Sequence, residues 1–222
     1  MYSRVTGACR VEADRVAVLK FGSSVLGDEA GFRFAAEEIV LEVASGRRVV
    51  AVVSAMGETT NRLLEVARCV SPRAAAGLTA QLLATGEDAS VALLGIALTA
   101  RGVNAHCLAT RALGLQTTGP LDDAEPVGFD IEGLLDAVQA HDVVVVPGFV
   151  GWDRSGAPAL LGRGGSDLTA LYLAHALSAE EVRLIKDVDG VYEVDPKRGF
   201  PGQLPLPSAT WGQVREIGNS VV

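Results

Sequence analysis

Four valines in a row, Val143 to Val146, held between Asp142 and Pro147, constrain this chain more than any other feature. Successive side chains of a strand point to opposite faces, so an unbroken β-branched run is satisfied only where both faces are covered. That place is the interior of a parallel sheet with helices on either side. The runs at 16–21, 49–53 and 182–185 have the same character, and a further strand is expected over 103–108. Helical periods lie between them. Residues 28–45 put Phe32, Ala36, Ile39, Val40 and Val43 on one face and stop at Gly46, 59–68 is helical, 87–101 is longer and strongly apolar, and 131–140 is another helix. Residues 149–161 carry Asp153-Arg154-Ser155-Gly156 between apolar flanks and predict a hairpin, and the glycine-rich turn at 162–167 opens a helix to about Leu177. This alternation predicts an α/β chain with a mostly parallel sheet.

With 222 residues, 49% of them hydrophobic and only 5% aromatic, the core is aliphatic and one domain is expected, after a loosely ordered tail at 1–14. Residues 199–208, rich in proline and glycine, are expected to be an extended surface connection. A net charge of −8 argues against nucleic acid or an anionic membrane as the principal partner. The N-terminus has no apolar export segment, and the longest apolar stretches are interrupted at Gly95 or Pro147, short of the roughly 18 residues of a span. Cys9, Cys69 and Cys107 are isolated, with no metal-ligand spacing, so a reduced, cytoplasmic protein without structural zinc is expected.

Glycine-rich turns follow strands at 22–27, 162–165 and 190, where parallel sheets bind ligands. In the 162–167 turn, two adjacent glycines leave backbone N–H groups unshielded, and Ser166 or Asp167 can cap the helix that follows. The same pattern also fits a capped turn with no ligand. Lys20, in an otherwise apolar strand, either snorkels to solvent at a sheet edge or aims its ammonium at a phosphate. Asp167, Asp187, Asp189 and Asp195 can orient that lysine, help hold a metal, or serve as turn residues. His106, His141 and His175 have no nucleophile-plus-acid arrangement around them and read as packing residues.

As a set, Val18-Leu19-Lys20-Phe21-Gly22-Ser23-Ser24, Val53-Ser54 through Thr60-Asn61, Thr85-Gly86-Glu87, Pro147-Gly148-Phe149, Leu161-Gly162-Arg163-Gly164-Gly165-Ser166-Asp167 and Asp187 through Pro196 resemble, in order, the motifs of aspartate kinases of the amino acid kinase family. The resemblance implies a three-layer αβα sandwich over 15–222, and ATP with Mg²⁺ phosphorylating the side-chain carboxylate of L-aspartate or a similar amino acid. It implies that Lys20 and Asp167 are catalytic, the lysine on phosphate and the carboxylate orienting it. Gly22, Ser23, Ser24, Gly164, Gly165, Lys186, Asp187, Tyr192, Asp195 and Lys197 would hold the nucleotide. Ser54, Thr60, Glu87, Arg163 and Ser166 would hold the acceptor, Glu87 on its amino group and Arg163 on its α-carboxylate. No protein ligand to a metal is implied, and a homodimer is.

The chain departs from the family in four places. Its first loop is a short Gly-Ser-Ser, closer to glutamate 5-kinases; Lys186 stands where a threonine is usual; and the helical insertion between Thr60 and Glu87 is missing. Fourth, Ser220 aligns with a second phosphate lysine. These departures leave open a degenerate domain that binds without turnover, or a kinase for another small acid. A compact enzyme without regulatory domains, insensitive to lysine and threonine, is expected.

Overall fold

The computed structural model describes residues 15–188, 190, 192, 203–208, 210 and 213. It divides into two compact units, Met1–Ile185 and Lys186–Val222. In the first, β1 (Val16–Phe21), α1 (Glu29–Ala44), β2 (Arg48–Val53), α2 (Thr59–Val70), α3 (Ala76–Thr99), β3 (Ala105–Cys107), α4 (Thr110–Leu113), β4 (Gln116–Thr118), β5 (Glu125–Gly128), α5 (Ile131–Ala140), β6 (Val143–Pro147), β7 (Val150–Trp152), β8 (Pro158–Leu160), α6 (Gly165–Ala176) and β9 (Glu181–Ile185) follow in order. A five-stranded parallel sheet runs β3-β6-β2-β1-β9. In the second unit the position of a Gly190 Cβ lies 2.9 Å from Pro205 Cβ.

Side-chain parity explains the valine run. Val16, Val18, Val50, Val52, Val144 and Val146 pack with Leu134 and Val138 of α5 and Ala170 and Leu173 of α6. Their neighbours Leu19, Phe21, Val49, Ala51, Val53, Val143 and Val145 pack with Phe32, Ala36 and Ile39 of α1 and Val91, Leu94 and Leu98 of α3. The result is the expected αβα sandwich, with β6 and β2 buried on both faces.

Several boundaries differ from the sequence reading. Helix α3 begins eleven residues before Glu87, at Ala76, and so contains Gly77 and Gly86. Gly86 is no breaker: a Cβ there would lie 3.1 Å from Thr59 Cγ2 and 3.2 Å from Ala55 Cβ, so the glycine lets α2 and the loop after β2 come close. By length and composition α3 could cross a membrane, contrary to the interrupted stretches read from sequence, but half of its apolar window is buried inside the protein. It is the core helix of the sandwich. The short strands β4 and β5 were not anticipated. They join the expected β7-β8 hairpin in a second sheet, β5-β4-β7-β8. That sheet and α2 cover the first half of α3 through Leu63, Leu64, Ala80, Leu83, Ala84, Phe149, Val150 and Leu160.

At the opposite end of the sheet, Arg47 and Arg183 converge on Glu42, with Arg47 Nη1 at 2.8 Å from its Oε2. Burial alone would raise the Glu42 pKa, but the two guanidiniums together outweigh it and hold the carboxyl below its usual range. His106 and His141 stack with ring centroids 4.8 Å apart, as packing residues do.

Candidate active site

Strands β1, β2 and β6 end in register at Phe21, Val53 and Pro147, and their exits are tied together. Ser54 N–H donates to Phe21 O at 3.1 Å, and Gly148 N–H donates to Val53 O at 2.9 Å. The loops bearing Gly22, Ser54 and Gly148 therefore leave from one carboxyl edge, where open α/β sheets bind ligands. Lys20 shares the parity of Val16 and Val18, so it projects toward the α6 layer. β1 lies between β2 and β9, not at an edge, and Lys20 is only 6% exposed. Its Nζ stands 2.7 Å from Asp167 Oδ1, which excludes the snorkelling alternative.

Asp167 is supplied by the first turn of α6. The helix has no side-chain cap: Gly164 takes the N-cap position at φ 77, leaving Ser166 and Asp167 inside the turn and correcting the expectation that one of them caps it. By contrast, Asp28 caps α1 through the N–H groups of Ala30 and Gly31. Among the described residues a Cβ on Gly164 would meet nothing within 4 Å. Gly148 is needed for close approach, since a Cβ there would lie 2.6 Å from Ser166 Cβ. These contacts seat the start of α6 on the exit of β6.

Glu87, expected on the acceptor side, is the one carboxyl in an apolar stripe. Along α3 the buried residues Ala80, Ala84, Glu87, Val91, Leu94 and Leu98 repeat at alternating spacings of four and three, a single apolar stripe interrupted by one carboxyl. The interruption falls where the stripe passes from the α2 and β8 cluster to the main core. Glu87 is 2% exposed, and its Oε2 has no hydrogen-bond partner among the described residues. Burial pushes its pKa up to about 8, against the opposing pull of the Ala55 backbone and of Lys20. Its neighbour Asp88 is turned away, accepting from Thr110 N–H at 2.7 Å.

The other candidates distribute as follows. Gly22 is buried and Ser23 and Ser24 are exposed in the loop after β1, while Ser54 and Thr60 are half-buried at the end of β2 and the start of α2. Arg163 is exposed, and Gly165 and Ser166 are buried beside it. Lys186, Asp187 and Tyr192 belong to the second unit. Asp189, Asp195, Lys197 and Ser220 lie outside the described residues.

The donor set fits a nucleotide phosphate. It offers an ammonium, a glycine (Gly22) whose absent Cβ would lie 3.2 Å from that ammonium, and the uncapped, glycine-bearing start of a helix. Among the described residues no group of three His, Cys, Asp or Glu could hold a metal. Sequence reasoning missed Phe149 as a constrained position: it adopts φ 69, a conformation that no side-chain pattern announces.

The family profile described as the amino acid kinase family matches residues 15–221. The aspartokinase of Mycolicibacterium smegmatis is 38% identical over 201 residues, which are 90% of this chain and 48% of that protein. Aspartokinase 2 of Bacillus subtilis is 36% identical over 202 residues, 91% of this chain and 49% of that protein. Among solved structures, E. coli aspartokinase III in complex with aspartate and ADP has a TM-score of 0.72 at 26% identity, covering 82% of this chain and 52% of that one. The chain thus spans about half the length of the curated relatives it matches.

Proposed function

The chain belongs to the amino acid kinase family, and on that basis we propose that it transfers the γ-phosphoryl group of ATP to the side-chain carboxylate of L-aspartate. One observation carries the acceptor assignment: Glu87, a buried carboxyl with one oxygen unpartnered among the described residues, lies close enough to Lys20 to feel its charge. Such a carboxyl suits the ammonium of an α-amino acid. Arg163, at the mouth of the glycine turn, suits its α-carboxylate, since a guanidinium fork matches carboxylate geometry. Ser54, Thr60 and Ser166 complete the acceptor side.

The reaction needs no general base. A carboxylate with an ordinary pKa of about 4 is ionised at neutral pH, so one of its oxygens attacks phosphorus directly. The bond from phosphorus to the β–γ bridging oxygen breaks, and the leaving charge goes to ADP. What remains for the protein is alignment and positive charge around the phosphoryl oxygens. Lys20, kept in place by Asp167, supplies a fixed ammonium, and Gly22, Ser23, Ser24, Gly164 and Gly165 are proposed to line the phosphates. Lys186, Asp187, Tyr192, Asp195 and Lys197 are proposed for the nucleotide. Mg²⁺, arriving on the phosphates, would neutralise charge that the protein's own side chains leave.

Hydroxamate trapping with ATP, Mg²⁺ and a panel of amino acids tests this reading. Trapped product with aspartate is expected. Product only with glutamate, or with none, would overturn it. Arg163→Ala should raise KM for aspartate by roughly tenfold or more while moving KM for ATP little; an effect confined to ATP would shift Arg163 to the nucleotide side. We also propose a cytoplasmic homodimer formed through the α1 and α3 layer, supported by the exposed Leu41 and Ile96 on those helices. Light scattering should give twice the chain mass, and the mass of a single chain would exclude the dimer.

A further inference from the structure

We propose that Thr169 is a positioning residue whose hydroxyl fixes the 162–166 turn by holding Phe149 at positive φ. The inference rests on the reading of that turn as the one that meets the acceptor and the transferring γ-phosphoryl group, which ADP lacks.

Thr169 is fully buried on the second turn of α6. Its Oγ1 makes two hydrogen bonds, donating to Gly165 O at 2.9 Å and accepting from Phe149 N–H at 3.2 Å. The first bond alone would be an ordinary backward bond of a helical threonine. The second leaves the helix and grips the strand exit. Phe149 stands at φ 69, and Val150 N–H donates to Gly148 O at 2.8 Å across it. A positive central φ with an i to i+2 bond is the γ-turn of the rarer, strained kind. A bulky residue stays there only when its surroundings over-determine it.

Three bonds do so here. Phe149 N–H goes to Thr169, Phe149 O accepts from Leu161 N–H at 2.9 Å, and the Val150 bond closes the turn. Leu161 immediately precedes Gly162, and Gly165 closes the glycine turn with its N–H donating to Gly162 O at 3.1 Å. Phe149 therefore brackets the 162–166 segment, through Leu161 at its start and through Thr169 at its end. Packing reinforces the bracket, because a Cβ on Gly165 would lie 2.9 Å from Phe149 Cδ2. If the hydroxyl is removed, the Phe149 N–H loses its partner and the γ-turn can relax toward negative φ. The turn carrying Arg163 then loses its reference point, whereas Lys20, held from β1, does not.

The test uses the full chain with Thr169→Val, which keeps shape and removes the hydroxyl, and Thr169→Ser, which keeps the hydroxyl. Titration calorimetry reads aspartate and Mg-ADP binding, and residue-resolved hydrogen exchange reads the Phe149 and Gly165 amides. Thr169→Val should weaken aspartate by roughly tenfold or more, leave Mg-ADP within about twofold, and accelerate exchange at Phe149. Thr169→Ser should restore all three. Equal losses for both ligands, a serine variant as poor as the valine one, or unchanged exchange at Phe149 would each overturn the proposal. If the valine variant does not fold, Thr169→Ala is held to the same three readouts. A parent that binds no aspartate would overturn the proposed function instead, while exchange at Phe149 would still decide for or against the hydroxyl as its anchor.

Discussion

Lys20→Ala is expected to lower phosphoryl transfer by on the order of 10²-fold or more, with KM for aspartate little changed. The ammonium it removes is preorganised. It sits on a strand hydrogen-bonded on both sides, in a nearly buried position, with Asp167 fixing its direction at 2.7 Å. A charge that needs no reorganisation acts most strongly on the charge that develops in the transition state. The substitution also leaves Asp167 without its lysine, which costs stability; side-chain exposures of 8% and 21% put the pair well inside the protein. Lys20→Met, which restores the aliphatic stem, separates the two effects: it should recover part of the melting temperature and none of the turnover. Near-parental turnover in either folded variant would remove Lys20 from the phosphate.

Glu87→Gln should be more stable than the parent at pH 8 and bind the acceptor about a hundredfold more weakly. The unfolded chain ionises this carboxyl near 4.5, while the folded chain keeps its proton to about 8. Between those values the folded state binds one more proton, so raising the pH through the window destabilises the parent, by on the order of 5 kcal/mol across its full width. Glutamine carries no such proton, so thermal melts of the variant should lack this slope at pH 5, 6.5 and 8. The acceptor's ammonium, in turn, needs the ionised form, so the parent's KM for aspartate should fall as the pH rises from about 6 to about 8. Parallel melting curves for variant and parent would show that Glu87 is not a neutral acid in the fold, and an unchanged KM would separate it from the amino group.

The buried strands were legible because covering on both faces leaves no room for polar residues, as in β6 and β2. Strands β4 and β5 were not: Gln116-Thr117-Thr118 has an exposed, a buried and an exposed residue and no apolar run, and its pairing is decided by β7. The first half of α3 was hidden by Gly77 and Gly86, which stop a helix in a reading without neighbours and here fit beside them. The pairing of Lys20 with Asp167 was legible only through ordered motifs, since nothing local connects the two. Glu87 was named through the ordered motifs, but its burial left only the trace of one carboxyl in an apolar stripe, visible once the stripe is known to be continuous. The grip of Thr169 on Phe149 left none, because it is a relation between a strand exit and a helix that only the tertiary fold brings together.

The pairing of β1 with β9 has a consequence for how the chain comes to be folded. Ala17 meets Glu181 and Lys20 meets Leu184, closing a loop of roughly 160 residues, so this ladder carries a large closure entropy and forms late. As the chain leaves the ribosome, β1 can pair with β2 early, but its other edge stays open until β9 is made. Through that interval an apolar strand, with Lys20 as its single charge, presents unpaired backbone groups to any similar chain nearby. The lysine proposed to serve the phosphates therefore doubles, before any site exists, as the one residue on that strand that discourages edge-to-edge association.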